Sequence, residues 1–153
     1  MSLRDLVTFK SEFPDDAQWD DRKNLLVPGG QSIADAIRSQ LEEKGIACTE
    51  VTQHSFHGWG FQATVAGLVV WCLVQGGHEW FLRLEQRRSL LQTLLGPDYW
   101  ARFARLQDHI QAIMMADNRF SNVLWHATRD YEGGLMDRGQ PVPRSTEASG
   151  NSK

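Results

Sequence analysis

Residues 59–85, WGFQATVAGLVVWCLVQGGHEWFLRLE, constrain the fold more than any other stretch. Trp59, Phe61, Ala63 and Val65 alternate with Gly60, Gln62 and Thr64, the period of a strand with one buried face. Gly67 permits a tight reversal into Leu68–Gln75, which is apolar on both faces, as in a central strand covered on both sides. Gly76–Gly77 turns the chain again, and Trp80, Leu82 and Leu84 then alternate with Phe81, Arg83 and Glu85. Three strands joined by two short glycine turns make an antiparallel meander.

The flanks add a strand and helices. Leu6–Phe13 reads as a first strand, with Val7, Phe9 and Phe13 on alternate positions. The proline, glycine and acidic residues of 14–30 mark a long irregular loop, a length that inside a compact domain is usually functional or mobile. Ile33, Ala34, Ile37 and Leu41 share one helical stripe, which predicts a helix over about Ile33–Lys44. Ser32 with Asp35 three residues later has the form of a capping box, and Gly45 suits the left-handed C-terminal cap. Ile46–Gln53 reads as a further strand, and Ser89–Leu95 as a short helix ended by Gly96. Tyr99, Phe103, Leu106, Ile110, Ile113 and Met114 predict a helix from about Asp98 to Ala116. Phe120–Ala127 fits either period, and a short strand is preferred. The expected architecture is α+β: one domain over residues 1–134, a mostly antiparallel sheet with helices packed on one face. Residues 135–153, rich in Ser, Pro and Gly, are expected to form a disordered tail.

Several functional classes are disfavoured. The formal net charge of -3 leaves no basic footprint for phosphate neutralisation, so no nucleic-acid partner is expected. The aromatics Trp59, Phe61, Trp71, Trp80 and Phe81 lack interleaved Lys and Arg and read as core rather than as a base-stacking platform. The longest apolar run, Leu68–Val74, is too short to span a bilayer, and the charged opening MSLRDLVTFK is not a signal peptide. Cytoplasmic location with Cys48 and Cys72 as reduced thiols is the expectation, a Cys48–Cys72 disulfide the alternative. No dinucleotide or phosphate-loop glycine pattern is present.

Four features invite chemistry. His54 and His57, with His78 or Glu79 from the nearby hairpin end, have residue types that bind zinc. Without a Cys-x-x-Cys or His-Glu-x-x-His they read first as loop histidines at a strand entrance, and no cofactor is expected. Cys72 lies between Trp71 and Leu73 and reads as core, because a nucleophilic thiol needs an electropositive, accessible setting. His126 and Asp130 would meet only on a helix, and no Gly-x-Ser-x-Gly elbow accompanies them. Glu12, Asp15, Asp16, Asp20 and Asp21 surround Trp19 on the long loop. A tryptophan amid carboxylates has the form of a recognition element, the ring anchoring and the charges steering a basic partner. The alternative is a solvated loop whose Trp19 folds back onto the sheet edge.

TFKSEF, the helix SIADAIRSQLEEKGI, the HGWGF strand and the meander together resemble small cytoplasmic bacterial proteins, among them toxin-immunity proteins, over about Val7–Trp125. His57 stands before Gly58–Trp59 where such proteins often carry an acidic residue. The resemblance implies a non-enzymatic module that neutralises a toxin by occlusion, with no catalytic residues to carry over. The expected partner surface is Asp15, Asp16, Trp19, Asp20 and Asp21 together with His54 and His57. Two rival readings are a small enzyme or ligand binder using His54, His57 and His78, and a phage or regulatory adaptor acting through its tail.

Overall fold

The computed structural model describes residues 4–54, 57–76, 79–86 and 98–144. Among them the strands are β1 (Leu6–Ser11), β2 (Gln18–Trp19), β3 (Leu25–Val27), β4 (Ala47–Cys48), β5 (Thr52–His54), β6 (Gly58–Val65), β7 (Leu68–Gln75), β8 (Trp80–Gln86) and β9 (Phe120–His126). The helices are α1 (Gln31–Glu43), α2 (Asp98–Ala116) and the short α3 (Thr128–Glu132). The expected short helix over Ser89–Leu95 lies outside the described residues.

Seven strands form one antiparallel sheet in the order β4-β6-β7-β8-β1-β9, with β5 also on β6. The meander β6–β7–β8 is present as read, with Phe61 opposite Cys72 and Cys72 opposite Leu84. Its consequence is that β1 enters between β8 and β9, with Leu6 facing both Arg83 and His126. The expected strand Ile46–Gln53 is instead two short pieces, β4 and β5, each pairing with β6.

One face of the sheet carries the core. Val7, Phe9, Phe61, Val70, Val74, Leu82 and Trp125 pack there against Ile33, Ile37 and Leu41 of α1 and Phe103, Leu106 and Ile110 of α2. Burying each such side chain contributes roughly 1.5–3 kcal/mol relative to leaving it in water. The opposite face, where Thr8 pairs with Phe81, meets α3, whose Tyr131 ring lies 5.8 Å from that of Phe81.

The C-terminal end of α1 closes as expected. Gly45 takes φ 87°, its N–H reaches the Glu42 carbonyl and the Ile46 N–H reaches that of Leu41, the paired bonds of a left-handed cap. The N-terminal end does not use the Ser32–Asp35 capping box. Gly30 is the N-cap and makes no side-chain cap bond. Asp16 reaches in from the preceding loop, accepting from the Gly30 N–H and the Ser32 N–H, both at 2.8 Å. A carboxylate held across two free amides at the positive end of the helix macrodipole outcompetes a local cap.

Residues 135–144 do not leave the domain, contrary to the expectation of a tail from Leu135. A 3₁₀ turn at Met136–Arg138 leads to Gln140, which exchanges backbone bonds with Trp125. Gln111 holds the segment down, its amide reaching the Pro141 carbonyl at 3.0 Å and its oxygen accepting from the Trp125 indole at 2.7 Å. Arg144 ends the strap with a fork onto Asp108 at 2.7 and 2.9 Å. Discrete side-chain partners, not bulk hydrophobicity, order this stretch, which is why composition misreads it. Residues 145–153 lie outside the described residues.

Candidate functional site

The loop over 14–30 is built rather than irregular. Each of its turns is closed by an aspartate. Asp15 Oδ1 accepts from the Ala17 N–H at 3.1 Å. Asp20 Oδ1 accepts from the Arg22 and Asn24 amides at 2.9 and 2.8 Å, and Oδ2 from the Asn24 side chain at 3.0 Å. These bonds, that of the Asn24 amide foremost, hold the Asp20 carboxyl below its ordinary pKa. Between the turns, β2 and β3 pair as a small hairpin, Trp19 opposite Leu25. A side-chain oxygen that mimics a backbone turn is the physical reason Asp recurs here.

The hairpin is fastened at two points, one on α1 and one on the sheet. Asp16 grips the start of α1, as described above. Trp59 of β6 gives its indole N–H to the Pro28 carbonyl at 2.8 Å. Beside this joint lies Trp80, whose ring packs closely against Gly30 and Gly76. A Cβ on either would stand 3.1 or 3.0 Å from the indole.

Together these parts enclose a cleft of about 490 Å³ between the hairpin and the end of the meander. Trp19, Asp15, Ala17, Leu25, Pro28 and Gly29 line it from the loop, and His57, Gly76, Glu79 and Trp80 from the sheet. That volume lies within the range of small-ligand pockets. Trp19 itself is 59% exposed, and Leu26 on the same hairpin is 52% exposed. The ring does not fold back into the core.

The expected partner residues therefore divide. Asp15, Trp19 and His57 come together at the cleft. Asp16 and Asp20 spend their carboxylates on the backbone, and Asp21 is exposed beside the hairpin turn. His54 stands on β5 with its ring 6.4 Å from Trp71 and 6.3 Å from His57, and it does not line the cleft. His78 lies outside the described residues. Among the described residues no three His, Cys, Asp or Glu side chains gather as a metal site. Glu79 and Trp80 were missed by the sequence reading, Trp80 because its alternation assigned it wholly to the core. The signal for Glu79 was its place at the hairpin end, used only as a metal candidate.

The other candidates have structural roles. Cys72 is fully buried, and burial pushes its thiol far above the ordinary range. Cys48 is half-buried and free, its pKa pushed up to about 11 by burial and then by Glu42. Arg38 acts on Cys48 in the opposite sense but is outweighed by burial, so neither thiol is activated. His126 sits on β9, so no helical spacing joins it to Asp130. It is 2% exposed, and its Nε2 pairs with the Thr8 hydroxyl at 3.0 Å. The Tyr131 ring meets it edge-on at 5.2 Å, and Gly139 lies so close that a side chain there would meet the imidazole. Burial lowers its pKa, with Glu79 and Asp130 opposing.

No helix among the described residues is long and apolar enough to cross a membrane. Comparison with protein-family models, with curated proteins and with solved structures finds no match, so the reading of the site rests on its own residues.

Proposed function

We propose that this chain is a non-enzymatic binding protein that docks a basic protein partner at the cleft. Within that class we favour an immunity-type protein that neutralises a bacterial toxin in the cytoplasm by covering it. The observation that carries the reading is the exposed Trp19 standing over a concave site that also holds Asp15 and Glu79. A tryptophan is a frequent anchor of interface hot spots, and acidic neighbours suit a basic partner. The aspartate-closed turns fix the hairpin before any partner arrives, which lowers the ordering cost of binding. The net charge of -3 is compatible with attraction of a basic surface.

Co-expression with the product of the adjacent gene tests this, with growth and co-purification as readouts. A complex is expected that Trp19→Ala weakens by at least about 10-fold, as for a hot-spot tryptophan. Asp15→Asn with Asp21→Asn is expected to slow association, more at low salt than at physiological salt. A complex indifferent to Trp19 and to both aspartates would place the binding surface elsewhere.

A further inference from the structure

We infer that the cleft is a seat for a single arginine side chain presented by the partner. This rests on the docking reading above and specifies its chemistry. Trp19 and Trp80 line one concavity together with the acidic residues Asp15 and Glu79. Among the described lining residues only His57 is able to carry positive charge, and two are acidic, so these residues are complementary to a cation.

The choice of arginine follows from shape. A planar guanidinium stacks on an indole while its edge donates to a carboxylate, whereas an ammonium is a more strongly hydrated point charge. The acceptors are held in place. The Asp15 carboxylate is oriented by the Ala17 N–H, and Glu79 Oε2 lies 3.5 Å from the Tyr131 hydroxyl. Gly30 and Gly76 lie close against the Trp80 ring, and Trp19 is exposed. A carboxylate that already accepts one bond retains further lone pairs for a guanidinium fork.

The test uses the full chain and blocked tripeptides Gly-Arg-Gly, Gly-Lys-Gly, Gly-Gln-Gly and Gly-Glu-Gly. The indole N–H signals of Trp19 and Trp80 are followed by NMR. A saturable shift of both is expected with the arginine peptide, at millimolar affinity. The lysine peptide should bind more weakly and the other two should give no saturable shift. Asp15→Asn with Glu79→Gln keeps the shapes and the turn acceptor, and should weaken arginine binding by about 10-fold with an unchanged melting temperature. Equal binding of the glutamine peptide, or no saturable shift at Trp80, overturns the arginine seat. The docking reading fails separately, through a partner complex indifferent to Trp19.

Discussion

Trp59 donates its indole N–H to the carbonyl oxygen of Pro28 at 2.8 Å, so the first long strand of the meander holds one wall of the cleft. Trp59→Phe keeps most of the apolar contact and deletes that bond. The expected loss is about 1 kcal/mol, the usual net value of one such hydrogen bond. Urea unfolding measures it. Amide exchange at Gly29 and Gly30 should quicken more than exchange in β7, because the joint is local.

Asp16→Ala removes the acceptor for two amides at the start of α1. It should lower stability by about 1–2 kcal/mol, the range for a lost N-terminal cap. Asp35→Ala should stay within about 0.5 kcal/mol, as an ordinary surface change does. Chemical denaturation of the two variants side by side distinguishes the remote cap from a local capping box. A larger cost at Asp35 would restore the box.

The contrast between these two aspartates shows what the chain discloses about itself. Period-2 alternation, glycine turns and apolar stripes at helical spacing are local signals, and the meander, α1 and α2 were legible from them. Asp16 grips residues 14 and 16 positions ahead, a pairing with no periodic trace. Phe120–Ala127 was ambiguous for a physical reason. The register of β1 with β9 slips around Phe9, and Asn122 takes φ 51° there. The slip lets Phe120 and Val123, three apart, both enter the core, a spacing that imitates a helix. The cleft was half legible. Trp19 and Asp15 announced themselves by composition, but their meeting with Glu79 and Trp80 depends on where the hairpin is fastened.

His126 should give the folded state a pH limb. Its pKa is lowered on folding, by burial first. The unfolded chain therefore binds the proton more readily. The neutral ring's stability is fully present above its unfolded pKa of about 6.5 and is lost as pH falls from there through the folded value. His126→Gln removes that titration. Melting temperature measured between about pH 5 and 8 should fall less steeply on the acid side in the variant than in the parent. Parallel curves would mean that protonation of His126 is accommodated in place.

Ending the chain after Gly134 should be costly. It removes the Gln140 bonds to Trp125, the Gly139 contact over His126, and the Arg144 fork onto Asp108. Trp125, fully buried with its strap in place, would meet water. A loss above about 2 kcal/mol is expected, with a red shift in tryptophan emission, since exposing core surface is among the large-effect mechanisms. Ending the chain after Arg144 keeps every one of these contacts and is the reference against which the shorter chain is compared.

The place of β1 in the sheet also sets a timetable. Thr8 bonds to His126 across 118 residues of chain, and β1 lies between β8 and β9. On the ribosome the segment LVTF must therefore wait for β8, and it gains its second partner, β9, only when nearly all of the domain has been synthesised. Contacts this far apart in sequence make folding slow, and an unpaired apolar strand is an aggregation template meanwhile. Moving β1 by circular permutation to follow β9 would shorten the wait, and the yield of soluble protein would register the difference.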